Sequence, residues 1–148
     1  MASVHTGYDI FLTYIKDGTL DLDNDPIKVA LLTNVYTPDF SADAVFADVS
    51  AHELAAGNGY TQGGIALTNL LVDNQKFDSD DVVFTNLGSP NAVTFRYAVV
   101  YVDATKGSVI RPLISSILID DTPADVVAAG TNFGIQWSTS GIITSAIV

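Results

Sequence analysis

Residues 92–103, AVTFRYAVVYVD, constrain the fold most. Phe95, Tyr97, Val99 and Tyr101 fall on one side of an extended chain, and Arg96, Ala98, Val100 and Val102 fall on the other. Alternation of this kind, with β-branched and aromatic residues, predicts a strand. Other runs share its character: IKVALLT (27–33), GGIALTNLLV (63–72), VVFTNL (82–87), SVIRPLISSILID (108–120) and TNFGIQWSTSGIITSAIV (131–148). In the last of these, Phe133, Ile135 and Trp137 alternate with Gly134, Gln136 and Ser138. Short strands separated by Gly, Asp, Asn and Pro, without helices between them, favour an antiparallel β-sandwich or barrel-like sheet over an α/β fold.

One helix is expected, near residues 6–16. Tyr8, Phe11, Leu12 and Ile15 have the spacing of a single buried face, Thr6 and Asp9 form a capping pair, and Asp17-Gly18 ends the helix. SADAVFADVSAHELAAG (41–57) reads as a loop with a turn or two of helix. Of the 17 acids only Glu53 is Glu. Asp favours turns and caps while Glu favours helices, so the acids point the same way as the strands. A length of 148 residues, with no internal repeat and no linker, fits one domain spanning residues 1–148.

The charge narrows the partners. A net charge of -11 repels phosphate backbones, which argues against nucleic acid. No cysteine is present, so disulfides and thiolate metal sites are excluded. The first residues carry no basic stretch of the kind that opens a secretion signal, and no apolar run approaches the ~20 residues of a membrane span. The expected setting is a cytoplasm, or a larger assembly built there. A mean hydropathy of +0.33 beside so much acid suggests apolar surface for a partner to cover.

In GNGYTQGG (57–64), Gly59 and Gly64 have phosphate-loop spacing, but Ile65 and Ala66 follow where a lysine and a hydroxyl are needed. Gln62 replaces a glycine of the dinucleotide fingerprint, so these glycines are expected to bend the chain. Asp21, Asp23 and Asp25 match the start of a calcium loop, yet Pro26 stands where glycine is required and Leu32 where a bidentate Glu is required. Asp78, Asp80 and Asp81 read as a solvated turn. His5 and His52 are the only histidines and lie in no catalytic motif, so neither a catalytic residue nor a cofactor or metal site is assigned. Tyr97, Tyr101 and Trp137 are candidates for a sugar-stacking platform, with core packing the stronger reading.

Taken in order, the N-terminal helix, DLDNDPIKVALLT, YTPDF, FADVSAHELAAGNGYTQGG, FDSDDVVFTNL, FRYAVVYVD, PLI and FGIQWSTSGI resemble a family of small virion structural proteins of tailed bacteriophages and prophages. The most specific pieces are GYTQGG with its following strand and the F-x-I-x-W strand. The resemblance implies a fold and a setting rather than a reaction. It implies a non-enzymatic virion protein, assembled in the host cytoplasm, with a decoration or cement role on the capsid exterior favoured. A tail- or fibre-associated protein and a carbohydrate-binding module for host recognition are the alternatives. The implied partners are the major capsid protein or tail proteins, and further copies in a homo-oligomer.

The end of the chain bears on assembly. From residue 126 to Val148 no charged residue appears. A strand without guarding charge is either covered in the core or paired at an interface, and the interface reading assigns Ile143, Ile147 and Val148 to the contact.

Overall fold

The computed structural model describes residues 3–73, 75–122 and 124–144. Ile147 and Val148 therefore lie outside the described residues. The chain begins with β1 (Val4–Gly7), α1 (Asp9–Lys16) and β2 (Ile27–Leu32), then α2 (Phe46–Val49) and a 3-10 turn at Ser50–His52. Next come β3 (Ile65–Ala66), β4 (Leu71–Val72), β5 (Lys76–Asp78), β6 (Val82–Leu87), β7 (Val93–Phe95) and β8 (Tyr97–Val102). The last elements are β9 (Thr105–Lys106), β10 (Val109–Ile110), β11 (Leu113–Leu118), β12 (Val126–Ala128), β13 (Thr131–Ile135) and β14 (Ile143–Thr144). The protein is mainly β, and its sheets are antiparallel, as the alternating runs require.

A five-stranded sheet in the order β1-β11-β8-β2-β3 forms the centre. Its middle strand, β8, is apolar on both sides because both sides are covered. Ala98, Val100 and Val102 join a larger core with Val29, Leu31 and Ile114, closed by Phe84, Leu87 and Phe95 from smaller ladders. Val99 and Tyr101 face a second core closed by Tyr8, Tyr36, Phe46 and Val49. The smaller ladders are β6 with β13, β7 with β12, β9 with β10, and the three-stranded β14-β5-β4. The segment containing α2 and the 3-10 turn, expected to be a loop with a turn or two of helix, lies over the second core.

The strand read from 92–103 is broken at Arg96. Its N–H bonds to the carbonyl of Leu32 (2.9 Å), and its carbonyl accepts from the N–H of Ile119 (3.1 Å). The chain there passes from the central sheet to the β7–β12 ladder, which shifts the alternation by one residue. Phe95 therefore packs with Ala98, Val100 and Val102, not with Tyr97, Val99 and Tyr101. The run 63–72 is also two short strands, interrupted at Asn69, whose φ is +51°.

The helix exists, and of its expected face Tyr8 and Phe11 are buried but Leu12 and Ile15 are not, so the buried stripe is shifted. Phe11 and Tyr14 are buried, while Leu12 is 59% and Ile15 39% exposed. Tyr8 is buried but extended (φ −73°, ψ 143°) and caps the helix, so a periodicity counted from it is out of phase. Thr6 belongs to β1, and no side chain caps the helix. Its first N–H goes instead to the carbonyl of Phe40 (3.0 Å). The expected stop is present: Asp17 caps the C-terminus and Gly18 has φ +76°.

Candidate functional site

The glycine-rich loop is a piece of sheet edge. All four of its glycines have positive φ, from +78° at Gly59 to +108° at Gly57. Asn58-Gly59 forms a two-residue turn in which Gly57 and Tyr60 exchange backbone bonds of 3.0 and 2.9 Å. Beyond the short strand β3, the edge of β2 is finished by this loop. Leu31 donates its N–H to the Tyr60 hydroxyl (3.1 Å) and accepts from the N–H of Leu54 (2.9 Å). Tyr60 in turn donates to Glu53 Oε1 (2.8 Å), which also accepts from the N–H of Gly63. The Tyr101 hydroxyl closes the set by donating to the carbonyl of Gly63 (2.7 Å). The only Glu of the chain is thus the anchor of the loop, a role that spacing did not reveal.

Tyr60→Phe leaves the Leu31 N–H of a central strand without an acceptor and is expected to lower unfolding free energy by about 1–3 kcal/mol. A urea midpoint equal to that of the parent protein contradicts the anchoring role.

The acid-rich turns are engaged internally. Asp25, the third residue of the calcium-like run, is buried and pairs with Lys106 (2.5 Å), while its other oxygen accepts from the N–H of Asp21 (2.8 Å). Asp78 pairs with Lys76 (3.1 Å), and Asp81 accepts from the N–H of Trp137 (2.9 Å). Asp103 accepts from Lys28 (2.7 Å) and from both Nε and an Nη of Arg111 (2.9 and 2.8 Å). Partial burial works against its charge, yet the two cations hold its carboxyl below the usual range. Arg96 pairs with Asp125 (2.7 Å), so five of the six bases are consumed inside the molecule. Among the described residues only Asp25, Asp78, Asp103 and Asp125 of the 17 acids form ion pairs, and the surface is strongly anionic.

The histidines and aromatic candidates are dispersed. His5 shares Nε2 with the Ser115 hydroxyl (2.6 Å) and lies 6.3 Å from the Trp137 ring. Its outer side is exposed, but loss of hydration around the ring lowers its pKa, so it is neutral at pH 7. His52 packs on Tyr36 at 5.8 Å. Tyr101 is fully buried, stacked 4.1 Å from Phe46 beneath the Arg111 guanidinium, and Trp137 packs against the opposite core. Tyr97, Tyr101 and Trp137 are therefore not brought together on one surface.

What the fold does bring together is an apolar groove of about 540 Å³. It runs between β1, α1 and the β14-β5-β4 sheet, with Leu12, Ile15, Leu22, Val72, Phe77 and Ile143 among its lining residues. Leu12, Ile15 and Val72 are each more than a third exposed, which is unusual for adjacent side chains of this size. Of the residues read from sequence as interface, Ile143 lines this groove. The face of α1 that was expected to be buried is its opposite wall. Comparison with known proteins gives no match to a protein-family model, to a curated protein or to a solved structure.

Proposed function

We propose that this chain is a non-enzymatic structural protein of a tailed-bacteriophage virion, held on the capsid exterior through its apolar groove. The observation that carries the reading is the groove itself, which gathers exposed Leu12, Ile15 and Val72 with Ile143 on one side of an otherwise acidic surface. An apolar patch in that setting favours protein contact over free exposure to water. The anionic remainder suits a position facing away from packaged DNA. Resemblance of the GYTQGG turn and the F-x-I-x-W strand to virion proteins supplies the setting. The test is gold-labelled antibody applied to purified particles made by cells carrying the encoding phage or prophage. Label distributed over heads is expected. Label confined to tails, or particles free of the protein, overturns the reading.

A further inference from the structure

We propose that the outer edge of β1 takes up an extended strand from a partner protein, with apolar side chains that enter the neighbouring groove and flanks that carry Lys or Arg. This rests on the assembly reading above and adds the chemistry of the partner.

The backbone sets the direction of the edge. In an antiparallel ladder, successive residues alternately face the paired strand and face away from it. Tyr8 donates its N–H to the carbonyl of Ile114 (3.1 Å), continuing the register that runs from Val4 opposite Leu118 to Gly7 opposite Ser115. Val4 and Thr6 therefore bond to β11, while His5 and Gly7 turn their N–H and C=O groups outward. Among the described residues nothing pairs with those groups. β1 also carries no charge and no proline, the features that ordinarily protect an edge from other chains.

The same two residues line the groove beside Leu12, Ile15, Val72 and Ile143. A strand paired with β1 points every second side chain to one face, so an alternating apolar segment would place those side chains over the groove. Charge then selects among occupants. At the rim, Asp9 and Asp73 form no ion pair among the described residues, and the one nearby cation, Lys76, which also acts on Asp73, pairs with Asp78, so the acids are in excess there. A second copy would bring a further net charge of -11 to the contact, whereas a basic-flanked segment is attracted.

The probe is a fluorescein-labelled peptide, KKVTVTVKK, with a twin carrying Glu in place of each Lys. Anisotropy is expected to rise with the basic peptide, to weaken with salt, and to show about tenfold or poorer affinity for the twin. On binding, the amides of His5 and Gly7 should gain protection from hydrogen exchange in NMR spectra. Gly7→Pro removes an outward N–H that β11 does not use, in a position where an added Cβ meets only the Ile114 carbonyl at 3.9 Å. Leu12→Lys places a cation on an exposed wall of the groove. Each variant should weaken binding about tenfold or more, with the melting temperature of Leu12→Lys staying within about 2 °C of the parent's. No binding, equal binding of the twin, or undiminished binding in both variants overturns the proposal. A dimer that Leu12→Lys dissociates overturns it too, by giving the edge to a second copy. Absence from particles with peptide binding intact would refute the virion reading and leave the edge site standing.

Discussion

Gly64→Ala is expected to give a protein that is insoluble or melts at least about 10 °C below its parent, a loss of roughly 4 kcal/mol or more. Two effects combine at this position. The first is conformational: Gly64 has φ +79°, where an L side chain costs about 1–2 kcal/mol. The second is steric and larger. A Cβ on Gly64 would overlap the carbonyl oxygen and carbon of Val29 and come within 2.7 Å of the Ala30 Cα. These are backbone atoms of β2, a strand buried on both faces, so they have nowhere to move. Gly18→Ala supplies the control, because Gly18 has nearly the same φ (+76°) and nothing within 4 Å of an added Cβ. It should cost only the conformational part, about 1 kcal/mol. Equal losses in the two variants would show that contact between the loop and β2 is not what demands glycine at 64.

That contrast marks what spacing in a sequence conveys. The glycines of GNGYTQGG were legible as chain-bending residues because their motif lacked every cation a phosphate needs. The strand they press against was not legible, since Val29 lies more than thirty positions upstream. The runs 27–33 and 82–87 matched strands at Ile27–Leu32 and Val82–Leu87 because apolar β-branched residues bounded by Pro, Asn or Gly are local signals. The break at Arg96 was hidden, because it is made by hydrogen bonds to Leu32 and Ile119 that no local pattern records. The face of α1 was misread for a related reason. Tyr8 is apolar and buried like a helix residue, but it is held extended by its bond to Ile114. Strand β12 was missed altogether; a three-residue strand pairing with β7 about thirty positions away has too little length to show a period.

The candidate site was legible in parts and not as a whole. Ile143 stood out because no charge follows residue 125, and Leu12 and Ile15 stood out as apolar helix residues. The groove joins positions from 5 to 143, and only tertiary pairing brings β1, α1 and β14 to one place. Glu53 gave no warning either. A single Glu among so many Asp residues is a compositional oddity until Tyr60 and Gly63 are seen around its carboxylate.

Alkali should unfold this protein cooperatively between about pH 10 and pH 12. Tyr8, Tyr36, Tyr60 and Tyr101 are each 3% exposed or less. Burial is the leading reason that all four resist ionisation, and it pushes Tyr8 up to about 12. Anions add to it elsewhere. Tyr36 donates to Asp43 (2.8 Å) while bonded to the Tyr8 hydroxyl (2.7 Å), Tyr60 donates to Glu53, and Tyr101 lies near Asp103. In the unfolded chain each phenol titrates near 10. A folded pKa raised above that value gives stability that is complete below pH 10 and is lost as pH climbs toward the folded value. Each tyrosine contributes a slope of about 1.4 kcal/mol per pH unit in that window. Four acting together would remove about 10 kcal/mol by pH 12, comparable to the whole stability of an ordinary domain, about 5–15 kcal/mol. Tyrosinate absorbance and loss of the β circular-dichroism signal should therefore rise together and more steeply than a single-proton titration. Tyr36→Phe removes one of the four protons and should make the stability decline with pH less steep by that one proton's slope. The chain has six tyrosines, so formation of more than two tyrosinates near pH 10 with the β signal intact would contradict the argument, because it would mean that some of these four phenols reach water without unfolding.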